Sequence, residues 1–181
     1  ASDVYKRQTR WPHSSRVGAM PPRRRKDTPP PATGGSEKEV LVGFLDYLRA
    51  SAVAKLDGVS EVDARAAAVP SGTSLLGVVR HLTFVERFFF LGEDADDWQA
   101  TFTCPDDETV ASVQAAYRRA VSEAGEVIDA YTDLAEAAPR ASGRRSSPSM
   151  RWALTHMIEE TARHAGHLDI IREGVDGRTG R

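Results

Sequence analysis

The sequence predicts an all-α protein, a four-helix bundle preceded by a disordered N-terminal tail. From residue 36 onward the apolar residues recur three and four positions apart, as on one face of a helix, and strict alternation is absent. Capping and stop signals bound these apolar runs. A chain of 181 residues can build one domain with a full core but is short for two. We therefore expect one domain over residues 36–178.

Residues 1–35 differ in composition from the remainder. They hold six of the ten prolines, show no apolar periodicity, and carry eight basic residues against two acidic ones. Such a segment is typical of a disordered tail or linker. Its first residues resemble translated linker sequence, so that Met20 is a candidate for the true start.

Composition and charge exclude several classes of function. Since the whole chain has a net charge of -2, residues 36–181 carry -8, and only 7% of all residues are aromatic, which argues against a nucleic-acid partner. No apolar stretch approaches the roughly 20 residues that cross a membrane. Cys104 is the only cysteine, so no internal disulfide forms. We expect a cytoplasmic protein without membrane contact.

Each predicted helix has a recognisable beginning or end. Ser36 and Glu39 form a capping box before the first helix, Gly92 ends the second, Ser147 with Pro148 opens the fourth, and Gly174 ends it. The predicted helices span residues 36–57, 73–91, 106–131 and 147–173. The connections of about 15 residues exceed those of simple bundles, which leaves the topology open.

Four of the five histidines fall on only two of these helices. His81 points into the apolar face of the second helix. On the fourth helix His156, Glu160, His164 and His167 follow at intervals of four, four and three residues, which places them in one stripe.

This stripe and His81 predict a metal site. Glu160 and His164, one turn apart, can reach a single ion, and His81 from a facing helix would complete a set of two histidines and one carboxylate with free coordination positions. Two other interpretations stay open from the residues alone. His81 could be a hydrogen-bonded core histidine, and the stripe could be a polar edge that faces solvent.

Two segments resemble the helix signatures of the DinB-like (YfiT-like) superfamily of metalloenzymes. Residues 73–82 with 85–87 resemble its second-helix signature, and residues 150–152 with 156–169 its fourth-helix signature. The resemblance covers residues 36–178 and is closest to an actinobacterial branch of unknown function, related to the mycothiol-dependent maleylpyruvate isomerases.

The resemblance implies a set of metal ligands. His81 and His164 match ligand positions of the family, and Glu160 stands where most members have a second histidine, as in the Glu-x-x-x-His pattern of the maleylpyruvate isomerase relatives. Zinc is the expected ion, and nickel or iron(II) suits the same ligands. His167 is then the candidate catalytic residue, as a proton carrier.

The resemblance also implies a function. We expect a transferase or isomerase that activates a low-molecular-weight thiol, mycothiol foremost, for attack on a small electrophile. The alternatives are a metal-dependent hydrolase and a non-catalytic metal-binding stress protein, and a homodimer is considered as well. Cys104 is expected to be incidental.

Four further residues have predicted contacts near the site. Glu86 would support a ligand or pair with an arginine, and His156 would hydrogen-bond Glu160. Trp98 and Trp152 would line the opening of the pocket.

Overall fold

The computed structural model describes residues 29–32, 34–140 and 146–178, so most of the predicted tail, residues 1–28, lies outside the described residues. Within these ranges the protein is helical without a β-strand, which confirms the predicted all-α class. The α-helices are α1 Glu37–Ala54, α2 Glu61–Arg65, α3 Leu75–Glu86, α4 Val110–Ala130 and α5 Met150–Asp176.

The helix N-termini follow the expected chemistry, with two shifts. Ser36 caps α1 in a full capping box with Glu39, as predicted. The predicted start of the third helix near Asp106 is wrong, because Thr109 is the N-cap of α4 and its side chain accepts the backbone N–H of Ser112 at 3.1 Å. The predicted start of the last helix at Ser147 is wrong, because Ser149 is the residue whose side chain accepts the free backbone N–H of Trp152, at 3.2 Å.

The predicted end of the last helix at Gly174 is also wrong. The helix continues to Asp176 and ends at Gly177, whose φ of +75° is the left-handed conformation that favours glycine. Arg172 and Asp176 form a salt bridge one turn apart, with Nη2 and Oδ2 separated by 2.8 Å. This pair offsets the low helix propensity of Gly174, which lies inside α5.

Helix α3 does not end at Glu86 but widens into a π-helical turn, Arg87–Leu91, that stops at Gly92 as predicted. Gly92 has a φ of +72°, and a Cβ there would lie 2.5 Å from the carbonyl oxygen of Pro139. Only glycine fits this turn.

Two short helical segments were not predicted, and one of them shapes the site. These are α2 and a 3₁₀ turn, Ala100–Phe102, both too short to show a helical period in the sequence. A Cβ at Gly77 of α3 would lie 2.1 Å from the carbonyl oxygen of Phe102. The glycine therefore lets the 3₁₀ turn pack directly on α3, next to His81.

The helices form one bundle in which α1 packs mainly against α5 and α3 against α4, while α3 also contacts α5. Their apolar faces build two core clusters, one around Phe90, Ile128 and Leu154 and the other around Leu76, Tyr117 and Leu168. Among the described residues, no helix is long and apolar enough to cross a membrane.

The core also contains a buried ion pair. Glu86 of α3 is fully buried and accepts two hydrogen bonds from Arg49 of α1, at 2.7 Å from Nε and 2.6 Å from Nη2. Asp46 accepts a third from Nη1 at 2.8 Å. Of the two predicted roles of Glu86, the structure shows pairing with an arginine.

Candidate metal centre

The contact between α3 and α5 brings His81, Glu160 and His164 together. One ligand atom from each of the three lies within 4.8 Å of the others. His164 Nε2 is 3.1 Å from Glu160 Oε1, and His81 Nε2 is 3.8 Å from the same oxygen. The spacing of four residues on α5 and the facing position on α3 produce this cluster.

The three side chains are shielded to different degrees. His81 and His164 are each 6% exposed, and the Glu160 side chain is 15% exposed. Arg163 Nη1 contacts the outer carboxylate oxygen, Glu160 Oε2, at 2.9 Å, which leaves Oε1 directed at the two imidazoles.

A hydroxyl group fixes the tautomer of His81. Thr101 Oγ1 donates its only hydrogen to the carbonyl oxygen of Trp98 at 2.6 Å, so it must accept a hydrogen bond from His81 Nδ1 at 2.7 Å. The proton of neutral His81 is therefore on Nδ1, and the lone pair of Nε2 is turned towards Glu160. Phe102 holds the ring in place by stacking on it, with centroids 3.8 Å apart.

Burial keeps both imidazoles neutral. It lowers the pKa of His81 to about 4, an effect that neighbouring His164 strengthens and Glu160 opposes. Burial also lowers the pKa of His164, again against the attraction of Glu160. At pH 7 both side chains are in the unprotonated state that binds metal ions.

Without a cation, this cluster has unsatisfied polar atoms. The Nε2 lone pair of His81 faces a carboxylate oxygen, and His164 Nδ1 is buried with no hydrogen-bond partner. A lone pair turned towards a carboxylate oxygen is unfavourable, and a cation between His81 Nε2 and Glu160 Oε1 would offset that. Two neutral nitrogens and one carboxylate oxygen suit zinc, nickel or iron(II), so the residues fit the predicted ion.

His167 and His156 lie outside the cluster. His167 is exposed, and its ring is edge-on to His164 at 5.4 Å, so its catalytic role stays a prediction. The predicted hydrogen bond from His156 to Glu160 does not form, because His156 stacks on Trp152 at 4.8 Å and its Nδ1 lies 3.7 Å from Glu159.

Sequence reasoning missed Thr101 and Phe102, which hold His81 from the connection between α3 and α4. A lone threonine before a phenylalanine carries no distinctive pattern. The one signal was Gly77, a glycine inside an apolar helix face, which is typical of close approach by another backbone.

A cleft of about 350 Å³ adjoins the cluster at His164. Polar uncharged side chains line much of it, namely Ser71, Thr73, Gln99 and Thr103, with His167 at the same cleft. These hydroxyl and amide groups can donate and accept hydrogen bonds with a polyhydroxylated molecule.

Cys104 has no features of a reactive thiol. Burial is the main cause that raises the pKa of the Cys104 thiol to about 11, and the hydrogen bond that the thiol donates to Glu108, at 3.5 Å, adds to this effect. The group is therefore a thiol and not a thiolate at neutral pH, which agrees with its predicted incidental role.

The comparisons with known proteins agree with the resemblance. No curated protein matches the chain. The family described as mycothiol-S-transferase matches residues 40–177, a range that contains all of the bundle except the first three residues of α1. The chain therefore belongs to the mycothiol-S-transferase family.

Proposed function

We propose that this protein is a divalent-metal-dependent transferase that joins the sulfur of mycothiol to a small electrophile. The observation that carries the proposal is the cluster of His81, Glu160 and His164, in a chain of the mycothiol-S-transferase family. Coordination to a divalent ion held by these three residues would lower the pKa of the mycothiol thiol, so that the nucleophilic thiolate exists at neutral pH.

The residues of the chain have separate roles in this reaction. Thr101 keeps the Nε2 lone pair of His81 available, and Phe102 fixes the ring that carries it. The cleft with Ser71, Thr73 and Gln99 adjoins His164 and would hold the hydroxyl-rich sugar part of mycothiol.

His167 would take the thiol proton on its imidazole and release it to solvent. It is exposed and lies in the same cleft as His164, 5.4 Å from that ring. His167→Gln should lower kcat and leave the metal content unchanged, and added imidazole buffer should restore part of the rate. A lower metal content would instead make His167 a ligand.

Turnover of monochlorobimane tests the proposal. The metal-loaded protein is incubated with this electrophile, with and without mycothiol. A new carbon–sulfur bond should form while chloride leaves and the thiol proton passes to water, with fluorescence as the readout. Glu160→Ala should abolish the reaction, and Cys104→Ser should preserve it. Turnover that does not depend on mycothiol, such as hydrolysis, would contradict a transferase.

The identity of the ion needs a separate measurement. Elemental analysis of protein purified without a histidine tag, compared with His81→Ala and Glu160→Ala, should show one zinc, nickel or iron per chain that both variants lose. Unchanged metal content in both variants would rule out the site. The cytoplasmic location and the homodimer stay predictions.

A further inference from the structure

An aromatic surface begins at His81 and extends away from the metal cluster. The ring of Trp98 lies edge-on to His81 at 6.2 Å, Phe88 lies 5.0 Å from Trp98, and Phe89 lies 5.1 Å from Phe88. His156 continues the row at 5.0 Å from Phe89. We call this surface the aromatic face; its members are Phe88, Phe89, Trp98, Trp152 and His156.

Parts of the aromatic face are accessible to a ligand. Trp152 is 46% exposed, and Phe88, Trp98 and His156 are half-buried, whereas Phe89 is buried beneath them. Flat, unsaturated molecules pack well against such rings, in offset or edge-to-face arrangements.

A guanidinium that forms no ion pair within residues 29–32, 34–140 and 146–178 lies on this face. The guanidinium carbon of Arg140 is 5.2 Å from the ring centroid of Phe88 and 5.5 Å from that of Phe89. Its Nε is buried with no hydrogen-bond partner, and the ion pairs found in the described part of the chain do not include it. By contrast, Arg49, Arg87 and Arg151 each donate two hydrogen bonds to one carboxylate.

A buried guanidinium nitrogen without an acceptor is destabilising, and a carboxylate is the group whose two oxygens match the guanidinium donors. The rings alone favour planar apolar molecules, and Arg140 adds a preference for negative charge. Together they select a planar molecule that carries a carboxylate.

We propose that the aromatic face with Arg140 binds the second substrate, and that this substrate is a planar, unsaturated electrophile bearing a carboxylate. The inference rests on the proposed transferase function. The hydroxyl-lined cleft adjoins His164, whereas the aromatic face adjoins His81 through Trp98. The two substrates would thus approach the metal cluster past two different ligands, with the electrophilic carbon at the Trp98 end and the carboxylate at Arg140.

Binding of an unreactive pair of probes tests the site without any turnover. The probes are 3,5-dinitrobenzoate and its neutral methyl ester, and isothermal titration gives the affinity of the metal-loaded, full-length protein for each. The wild type should prefer the carboxylate, and Arg140→Met should weaken its binding about ten-fold or more, the range of a hydrogen bond to a charged group.

Three controls separate charge from folding. Arg140→Met should leave the affinity for the ester unchanged, Arg140→Lys should recover part of the affinity for the carboxylate, and Arg119→Met should change neither affinity. Arg119 is an exposed arginine on α4. Equal affinity of the wild type for both probes, or an equal loss of both in Arg140→Met, would overturn the proposal.

Turnover of a reactive pair then separates the two proposals. Mycothiol should displace chloride from 4-chloro-3,5-dinitrobenzoate, forming the carbon–sulfur bond and releasing the thiol proton to buffer, with a lower KM than for the methyl ester. Arg140→Met should raise the KM for the carboxylate alone. If no probe reacts but the binding preference depends on Arg140, the transferase proposal fails and the binding site stands. If both probes react equally with and without Arg140, the transferase stands and the site fails.

Discussion

Helix α3 carries two buried ionisable side chains, His81 and Glu86, whose surroundings differ completely. Glu86 is fully buried, and both of its oxygens accept hydrogen bonds from Arg49, so that opposite charges meet inside the core. The Nε2 lone pair of His81 faces Glu160 Oε1 at 3.8 Å, and the Nδ1 atom of neighbouring His164 is buried without a hydrogen-bond partner. Glu86 has its hydrogen-bond partners within the protein, whereas His81 presents a nitrogen lone pair that suits a cation.

The difference separates a polar cluster that is satisfied within the protein from one that has the features of a metal site. A buried ion pair that is satisfied on both sides joins α1 to α3 and leaves no coordination for a ligand. Neutral imidazoles around a carboxylate leave lone pairs available, which is the state that metal ions require. Burial by itself therefore does not distinguish the two; the identity of the partner does.

The largest expected effect is on the structural pair. Glu86→Ala should lower the free energy of unfolding by about 3–5 kcal/mol, because Arg49 would keep its charge in the core with only Asp46 beside it. Urea denaturation measures the change. The double variant Arg49→Leu/Glu86→Leu should lose much less, and Glu37→Ala, in an exposed pair with Arg151, should change stability little. A small loss in the single variant would contradict the role of this pair.

Metal addition should stabilise the second cluster but not the first. Zinc at about 100 times its dissociation constant should raise the free energy of unfolding by about 2.7 kcal/mol, and a chelator should reverse the gain. Glu160→Ala should abolish the response. The matched control is Glu159→Ala, an exposed carboxylate one position earlier on α5, which should keep it. An equal zinc response in Glu160→Ala would contradict the assignment.

A smaller effect is expected at the hydroxyl that orients His81. Thr101→Val removes the acceptor for His81 Nδ1 and should weaken zinc binding about ten-fold, as the loss of a group that orients a ligand commonly does. Competition with a chromogenic chelator measures the affinity. Thr103→Val, two residues further and exposed, serves as the control. Equal affinities in both variants would show that the tautomer of His81 is fixed in another way.

The smallest effect is expected at Tyr117, whose hydroxyl is buried near the structural pair without a hydrogen-bond partner. Tyr117→Phe should raise the free energy of unfolding by about 1 kcal/mol, because it removes an unsatisfied polar atom and keeps the ring. Zinc affinity should not change. Destabilisation by this substitution would show that the hydroxyl has a partner in solution.

Local signals predicted much of the bundle correctly. Ser36 with Glu39, and Gly92, mark helix ends because capping and left-handed turns depend on adjacent residues alone. The fourth predicted helix was misplaced at both ends. Ser147 and Ser149 offer equivalent cap chemistry in the sequence, and the Arg172–Asp176 pair carries the helix past Gly174.

The candidate ligands could be predicted, but their surroundings could not. Glu160 and His164 share a helix face by spacing alone, and His81 was placed with them through its position in an apolar face and through the family resemblance. Thr101 and Phe102 lie 20 residues or more from His81 along the chain, in a segment without periodicity. No local pattern connects them to the site.

The sequence by itself determined the four long helices and the stripe of histidines on α5, since both depend on interactions within a few residues. The tertiary structure alone decided which polar groups meet. It joined Glu86 to Arg49, set the lone pair of His81 opposite Glu160, and placed Arg140 on Phe88 with no counter-ion in the part of the chain that the structure describes. These contacts depend on how whole helices pack, because burial determines what each polar group finds as its partner.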